Sequence, residues 1–286
     1  MLVRRTALLL ALTAAPSTAL AQLRADVDVE ARFASAYVDR GVVLTNLPVV
    51  QPSLQAAIAA GGGSVGLGVR ATVQPAGSSD PRWFGMAGTA KSPDVTEVRP
   101  SLTLAQPFGA VRFDLTASWR MFPNGAGITK AGNMGTVETR LVFHRGTTEA
   151  ALAAGYDVGA VTGAAVDAHL SQALPLGRGA ALTFGGRVGW GIRQRADSAA
   201  PAPVALLAHD GLGFIDLTAG ADVAVAKVRV RPFVTLTHVP GSHLHEVHEP
   251  EPGHPELQRR WTAQVGASVA LHAVLPPGKK PAAAGH

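Results

Sequence analysis

The sequence predicts an all-β chain, an antiparallel transmembrane β-barrel of about 12 strands, and three observations carry that prediction. Apolar and polar residues alternate at period two along nearly the whole chain. Short turns and long loops follow one another between the alternating stretches. Hydrophobic residues make up 47% of the chain and charged ones 16%, yet no long uncharged apolar run follows residue 21. A chain this apolar without helical spans has to disperse its apolar residues along one face of strands.

Residues 1–21 read as a secretory signal. Arg4 and Arg5 supply the positive start, residues 7–15 the apolar stretch, and Ala19-Leu20-Ala21 the small-residue cleavage site. A membrane anchor is the competing reading. The apolar stretch is too short for it, since a spanning helix needs about 20 apolar residues. The expected organisation is a signal peptide over 1–21 that directs Sec export, a barrel over 22–275, and a disordered periplasmic tail over 276–286. Losing Arg4 and Arg5 takes the 25 basic residues to 23 against 20 acidic ones, a net charge of +3. The bases are spread singly and form no basic stripe, so no nucleic-acid partner is expected. Cysteine is absent, which excludes a disulfide scaffold and a thiol active site.

The alternating stretches, in order, are 27–37, 49–60, 64–74, 95–106, 110–122, 134–145, 148–158, 164–174, 180–193, 212–225, 227–239 and 259–272. Each is near the 9–11 residues that a tilted strand needs to cross a bilayer. In the third, Val65, Leu67, Val69, Ala71 and Val73 alternate with Gly66, Gly68, Arg70 and Thr72. In the fifth, Val111, Phe113, Leu115, Ala117, Trp119 and Met121 alternate with Arg112, Asp114, Thr116, Ser118 and Arg120. The last three behave alike, with Ile215 to Val225, Val228 to Leu236 and Trp261 to Leu271 on their apolar faces. A helix would mix the two sets around its circumference.

Short turns are expected at 61–63, 107–109, 145–147, 175–179 and 226–227, and long loops at 38–48, 75–94, 123–133, 194–211 and 240–258, with 159–163 the short exception. That asymmetry is the layout of an outer-membrane barrel, and an even strand number puts both termini on the short-turn, periplasmic side. Tyr37, Trp119, Tyr156, Trp190 and Trp261 fall on the apolar face near the long-loop ends, as an interfacial girdle would; Phe143 is the clearest periplasmic counterpart. The chain continues past Leu271 with no aromatic strand end. A soluble β-sandwich also alternates, but does not predict so many charges on one face or the loop asymmetry.

The charges expected to line the lumen are Arg70, Arg99, Arg112, Asp114, Arg120, Glu138, Arg140, Arg187, Asp216, Asp222, Arg229 and Arg231, with Glu97 and Asp157 also inward. Opposite signs on neighbouring strands would form a network filling a narrow lumen. Alternatively, the base excess would line a wet channel that favours small anions. The expected function is a narrow channel for small solutes, with outer-membrane lipid as the outer partner. The alternative is a non-conducting structural or binding barrel whose loop 238–256 binds a divalent metal through His243, His245, His248 and His254, with glutamates interleaved. A merely solvated polar loop fits the same composition. No other cofactor is expected. Catalysis is not expected either. There is no G-x-S-x-G element, and His144, His169 and Ser171 fall on inward faces away from the outer surface.

Ala36-Tyr37-Val38-Asp39-Arg40-Gly41, followed by Pro48 and Gln51, resembles a family of largely uncharacterised bacterial outer-membrane β-barrel proteins with a Tyr-x-x-Arg-Gly…Pro-x-x-Gln element after strand one. This chain departs at Asp39, where an aromatic is usual. The resemblance implies an outer-membrane barrel; read physically, Arg40-Gly41 would turn the chain at the top of strand one, the glycine for the turn and the arginine for a salt bridge to a loop.

Overall fold

The computed structural model describes residues 25–45, 47–60, 62–75, 94–123, 132–200, 204, 207–240 and 260–275. Twelve antiparallel strands close into one barrel. In chain order they are β1 (Ala25–Ala34), β4 (Val49–Ala60), β5 (Gly63–Gln74), β6 (Asp94–Phe108), β7 (Val111–Arg120), β8 (Met134–Arg145), β9 (Thr148–Gly159), β10 (Val161–Gly177), β11 (Ala180–Ala196), β12 (Gly211–Val225), β13 (Val228–His238) and β14 (Trp261–Leu275). Between β1 and β4 a two-stranded hairpin, β2 (Tyr37–Asp39) and β3 (Val42–Thr45), forms its own small sheet. Closure comes from β1, which pairs with β14 from Ala25↔Leu275 to Ala34↔Gly266 and with β4 from Ala25↔Ile58 to Ala34↔Val49.

Closure matters because lipid offers no hydrogen bonds: a sheet without edges satisfies its own backbone. The outward face is apolar all round. Leu67, Leu152, Leu170, Leu217, Val234 and Val265 are among its exposed side chains. Such a surface is compatible with lipid and not with water, so the protein resides in the bacterial outer membrane. Trp119, Tyr156, Trp190 and Trp261 point outward toward the long-loop side. At the opposite rim, exposed Phe108 and Phe184 join Phe143, so the periplasmic girdle is fuller than Phe143 alone predicted.

Two expectations need correction. The first alternating stretch does not run to residue 37, because β1 leaves the wall after Ala34 through a bend at Ser35 and Ala36. Tyr37 is therefore buried inside the hairpin and takes no part in the interfacial girdle. The parity was right, but the chain turns inward before parity places that ring in lipid. The second correction concerns 159–163, where the link shrinks to Ala160 alone between β9 and β10.

Candidate functional site

The hairpin is the chain's most informative feature, and its turn explains its shape. Arg40 and Gly41 have φ of +49° and +82°. Two central residues with positive φ make a type I′ turn, the kind that matches strand twist in a two-residue hairpin. Gly41 adopts this freely. A Cβ there would also lie 2.8 Å from Cβ of Phe214, so the turn packs directly on β12. Arg40 is strained by about 1–3 kcal/mol in this region, and its contacts offset that cost.

Those contacts lie across the lumen. Arg40 donates twice to Asp157 near the end of β9, at 2.5 and 3.1 Å. In the closed strand order, β9 stands six strands from β1 in either direction, on the opposite wall. Asp157 also accepts from Thr136 at 2.7 Å and from Gln194 at 2.9 Å. Its side chain is 1% exposed and that of Arg40 15%, so the pair is nearly dry.

A second set of contacts holds the arms of the hairpin. Asp39 accepts from Arg120 and lies 3.9 Å from Arg99. Tyr37 donates its hydroxyl to Glu97 at 2.8 Å, and Arg99 pairs with Glu97 at 3.0 Å. Burial works to raise the Asp39 carboxyl, but Arg120 and Arg40 beside it hold it below its ordinary range. Burial, then Glu97, pushes the Tyr37 hydroxyl well above its ordinary value. On β3, Thr45 accepts from Gln74 at 3.0 Å. Above these polar groups sits a dry cluster. Val42, Val43 and Leu44 of the hairpin pack with Phe122, Val161, Val204 and Leu207 from neighbouring loops and strand ends. The described part of the long-loop end is therefore capped by an apolar core with a charged underside.

Two polar cavities lie inside the barrel, and Arg40 lines both. The larger, about 500 Å³, is bordered by β4 to β8 and is lined by Arg70, Arg99, Arg120, Glu138 and Arg140 among others. The smaller, about 210 Å³, is lined by residues of β10 to β14 and β1, including Arg187 and Asp216. Seven of the twelve predicted lumen charges thus border these cavities. The rest lie elsewhere on the inner face. Arg112 pairs with Asp114 at 2.9 Å, and Asp222 sits between Arg229 at 3.4 Å and Arg231 at 3.2 Å. Arg187 pairs with Asp167 at 3.0 Å and stacks over Phe214.

Sequence reasoning missed the hairpin. It read 38–48 as a long outer loop and assigned Arg40 a loop partner, whereas Arg40 binds the barrel wall. One signal was present, a short run of β-prone residues on each side of Arg40-Gly41, Tyr37-Val38 before it and Val42 to Thr45 after it. His243, His245, His248 and His254 lie outside the described residues. Among the described residues no group of three or more metal-ligating side chains gathers.

No protein-family model matches the chain, and no curated protein matches it. Solved structures do. The COG4313 outer membrane channel from Pseudomonas putida F1 is 10% identical, with 88% of this chain and 95% of that one covered and a TM-score of 0.49. Outer membrane phospholipase A from Escherichia coli is 10% identical, covering 86% and 89%, with a TM-score of 0.42. LpxR from Salmonella typhimurium is 7% identical, covering 86% and 99%, with a TM-score of 0.44. These likenesses concern the fold. They also correct one expectation: enzymes are among the barrels this chain resembles, so the reading that it is not an enzyme does not stand. The chain is an outer-membrane β-barrel, similar in fold to channels and to enzymes of that membrane.

Proposed function

We propose that the protein is a narrow channel for small solutes whose resting state is shut by its own first loop. The observation that carries this reading is the hairpin tip, which crosses the lumen and is held by Asp157 on the opposite wall. Polar cavities remain on both sides of that tip, and the lumen wall is hydrogen-bonding and mostly basic around the larger one. An interior built only for stability would be filled by side chains, as in smaller barrels. The base excess favours anions among the solutes.

Planar-bilayer recording on refolded protein tests this. The expected result is rare, brief openings in the native protein and frequent openings when residues 37–45 are replaced by a short Gly/Ser link. Steady large currents from the native protein would remove the shut resting state. Silence from the hairpin-less protein, with the barrel shown intact by a heat-modifiability gel shift, would remove the channel.

A further inference from the structure

We propose that the larger cavity binds a small hydroxylated monocarboxylate, with Arg70 as its principal ligand. The inference deepens the lumen reading above, but it concerns binding and needs no open pore.

Arg70 on β5 stands directly opposite Arg99 on β6 in the strand register. Both line the cavity. Like charges directly opposite on one face of a sheet repel, and such a pair persists where negative charge lies close by. Arg99 has that charge within the protein, in Glu97 at 3.0 Å and Asp39 at 3.9 Å. Arg70 shares the neighbourhood of Asp39 and Glu97 but, among the described residues, forms no hydrogen bond and no ion pair with them, and its Nε is buried without a partner. Its two terminal nitrogens are not among the buried unpartnered atoms and have no protein partner among the described residues, so they are the ones left to meet an acceptor in the cavity. The planar fork of Arg suits a carboxylate held by two parallel bonds.

The rest of the wall narrows the ligand class. Ser53, Gln55, Ser101, Ser118 and Thr136 present hydroxyl and amide groups to the same space. They match a solute carrying several hydroxyls. Glu138 lines the cavity too, on β8, three strands along the wall from Arg70. It accepts hydrogen bonds from hydroxyls and repels a second negative charge. The cavity therefore selects one carboxylate over two, and a polyol acid over a bare oxyanion. Its volume of about 500 Å³ suits a small organic molecule.

Isothermal titration of the full-length protein in detergent with gluconate, glucose and sulfate tests the assignment. The expected result is saturable binding of gluconate, with glucose and sulfate each much weaker. Arg70→Gln is expected to weaken gluconate binding by about tenfold or more, the loss of a charge-assisted bidentate contact. Arg229→Gln, whose partner Asp222 lies outside this cavity, is expected to bind as the native protein does. A heat-modifiability gel shift checks that each variant forms the barrel. No gluconate binding by the native protein, or native affinity in Arg70→Gln, overturns the site. Equal binding of sulfate or glucose overturns the ligand class. If hairpin-less protein never conducts while gluconate binding persists, the channel reading fails and this one stands.

Discussion

Replacing Asp157 by Asn tests the latch most directly, because it keeps the side chain's size and removes its charge. Arg40 makes both of its bonds to this one carboxylate, at 2.5 and 3.1 Å, in a site where the two side chains are 15% and 1% exposed. Breaking a buried pair by removing one partner costs about 3–5 kcal/mol, chiefly because the other charge stays buried without compensation. The amide keeps acceptor capacity for Thr136 but places a donor group against Arg40 or Gln194, so little of that cost is recovered. Taking the lower figure, the ratio of docked to undocked hairpin falls by about 150-fold, at tenfold per 1.4 kcal/mol. The remaining anchors are Tyr37 on Glu97, Asp39 on Arg120 and the apolar cluster around Leu44. Glu97 and Arg120 stand on β6 and β7, and the turn also packs on Phe214 of β12, so these anchors keep the arms of the hairpin in the lumen while the Asp157 bonds are weakened. Single-channel recording is the assay: Asp157→Asn should open far more often than the native protein, with an unchanged gel shift. Removing both partners, as in Arg40→Met with Asp157→Leu, leaves no stranded charge and should close more often than Asp157→Asn alone. Native gating in Asp157→Asn would refute the reasoning, since it would mean that the buried pair contributes nothing to docking.

Three further outcomes follow from the same geometry. Gly41→Val should raise the open fraction as well, because it adds a β-branched residue at φ +82° and a Cβ 2.8 Å from Phe214; replacing Phe214 by Ala in that background should relieve only the steric part. The hold of Asp39 on Arg120 should persist from neutral pH down to about pH 4, where unperturbed carboxyls begin to protonate. Asp39 sits below its ordinary range because Arg120 and Arg40 outweigh its burial, so its contribution is present above the unfolded value and is lost only as pH falls through the folded one. Arg99, Glu97 and Tyr37 face the same carboxylate, and openings that begin near pH 6 would place control in another group. Leu67→Arg, at an outward position 66% exposed to the surroundings of the barrel, should lower folding yield into lipid by an amount matching about 2–4 kcal/mol; Ser101→Arg, on the cavity wall, should fold near normally.

Much of this architecture was legible from local rules. The outward set on β7, from Phe113 to Trp119, and the inward set, from Arg112 to Arg120, follow from period two alone, since neighbouring side chains on a strand face opposite ways. The same rule puts Arg70, Arg99, Glu138 and Arg140 on the inward face; that they border one cavity comes from the closed wall. It failed at Tyr37, whose parity matched the lipid face although the chain had already left the wall at Ser35. Local pattern says which way a side chain points and nothing about whether the strand is still in the sheet.

What the sequence determined by itself was therefore the two-faced sheet, its closure and its place in a membrane, because an oily face repeated over twelve strands has one way to avoid both water and unpaired backbone. The tertiary structure alone decided where the hairpin docks in the lumen. The bonds that hold the hairpin join residues 60, 81 and 117 positions apart, Tyr37 to Glu97, Asp39 to Arg120 and Arg40 to Asp157. No periodicity encodes which of many inward charges will meet across a barrel. Those pairings exist only once the wall has closed and brought opposite strands within reach of one short hairpin.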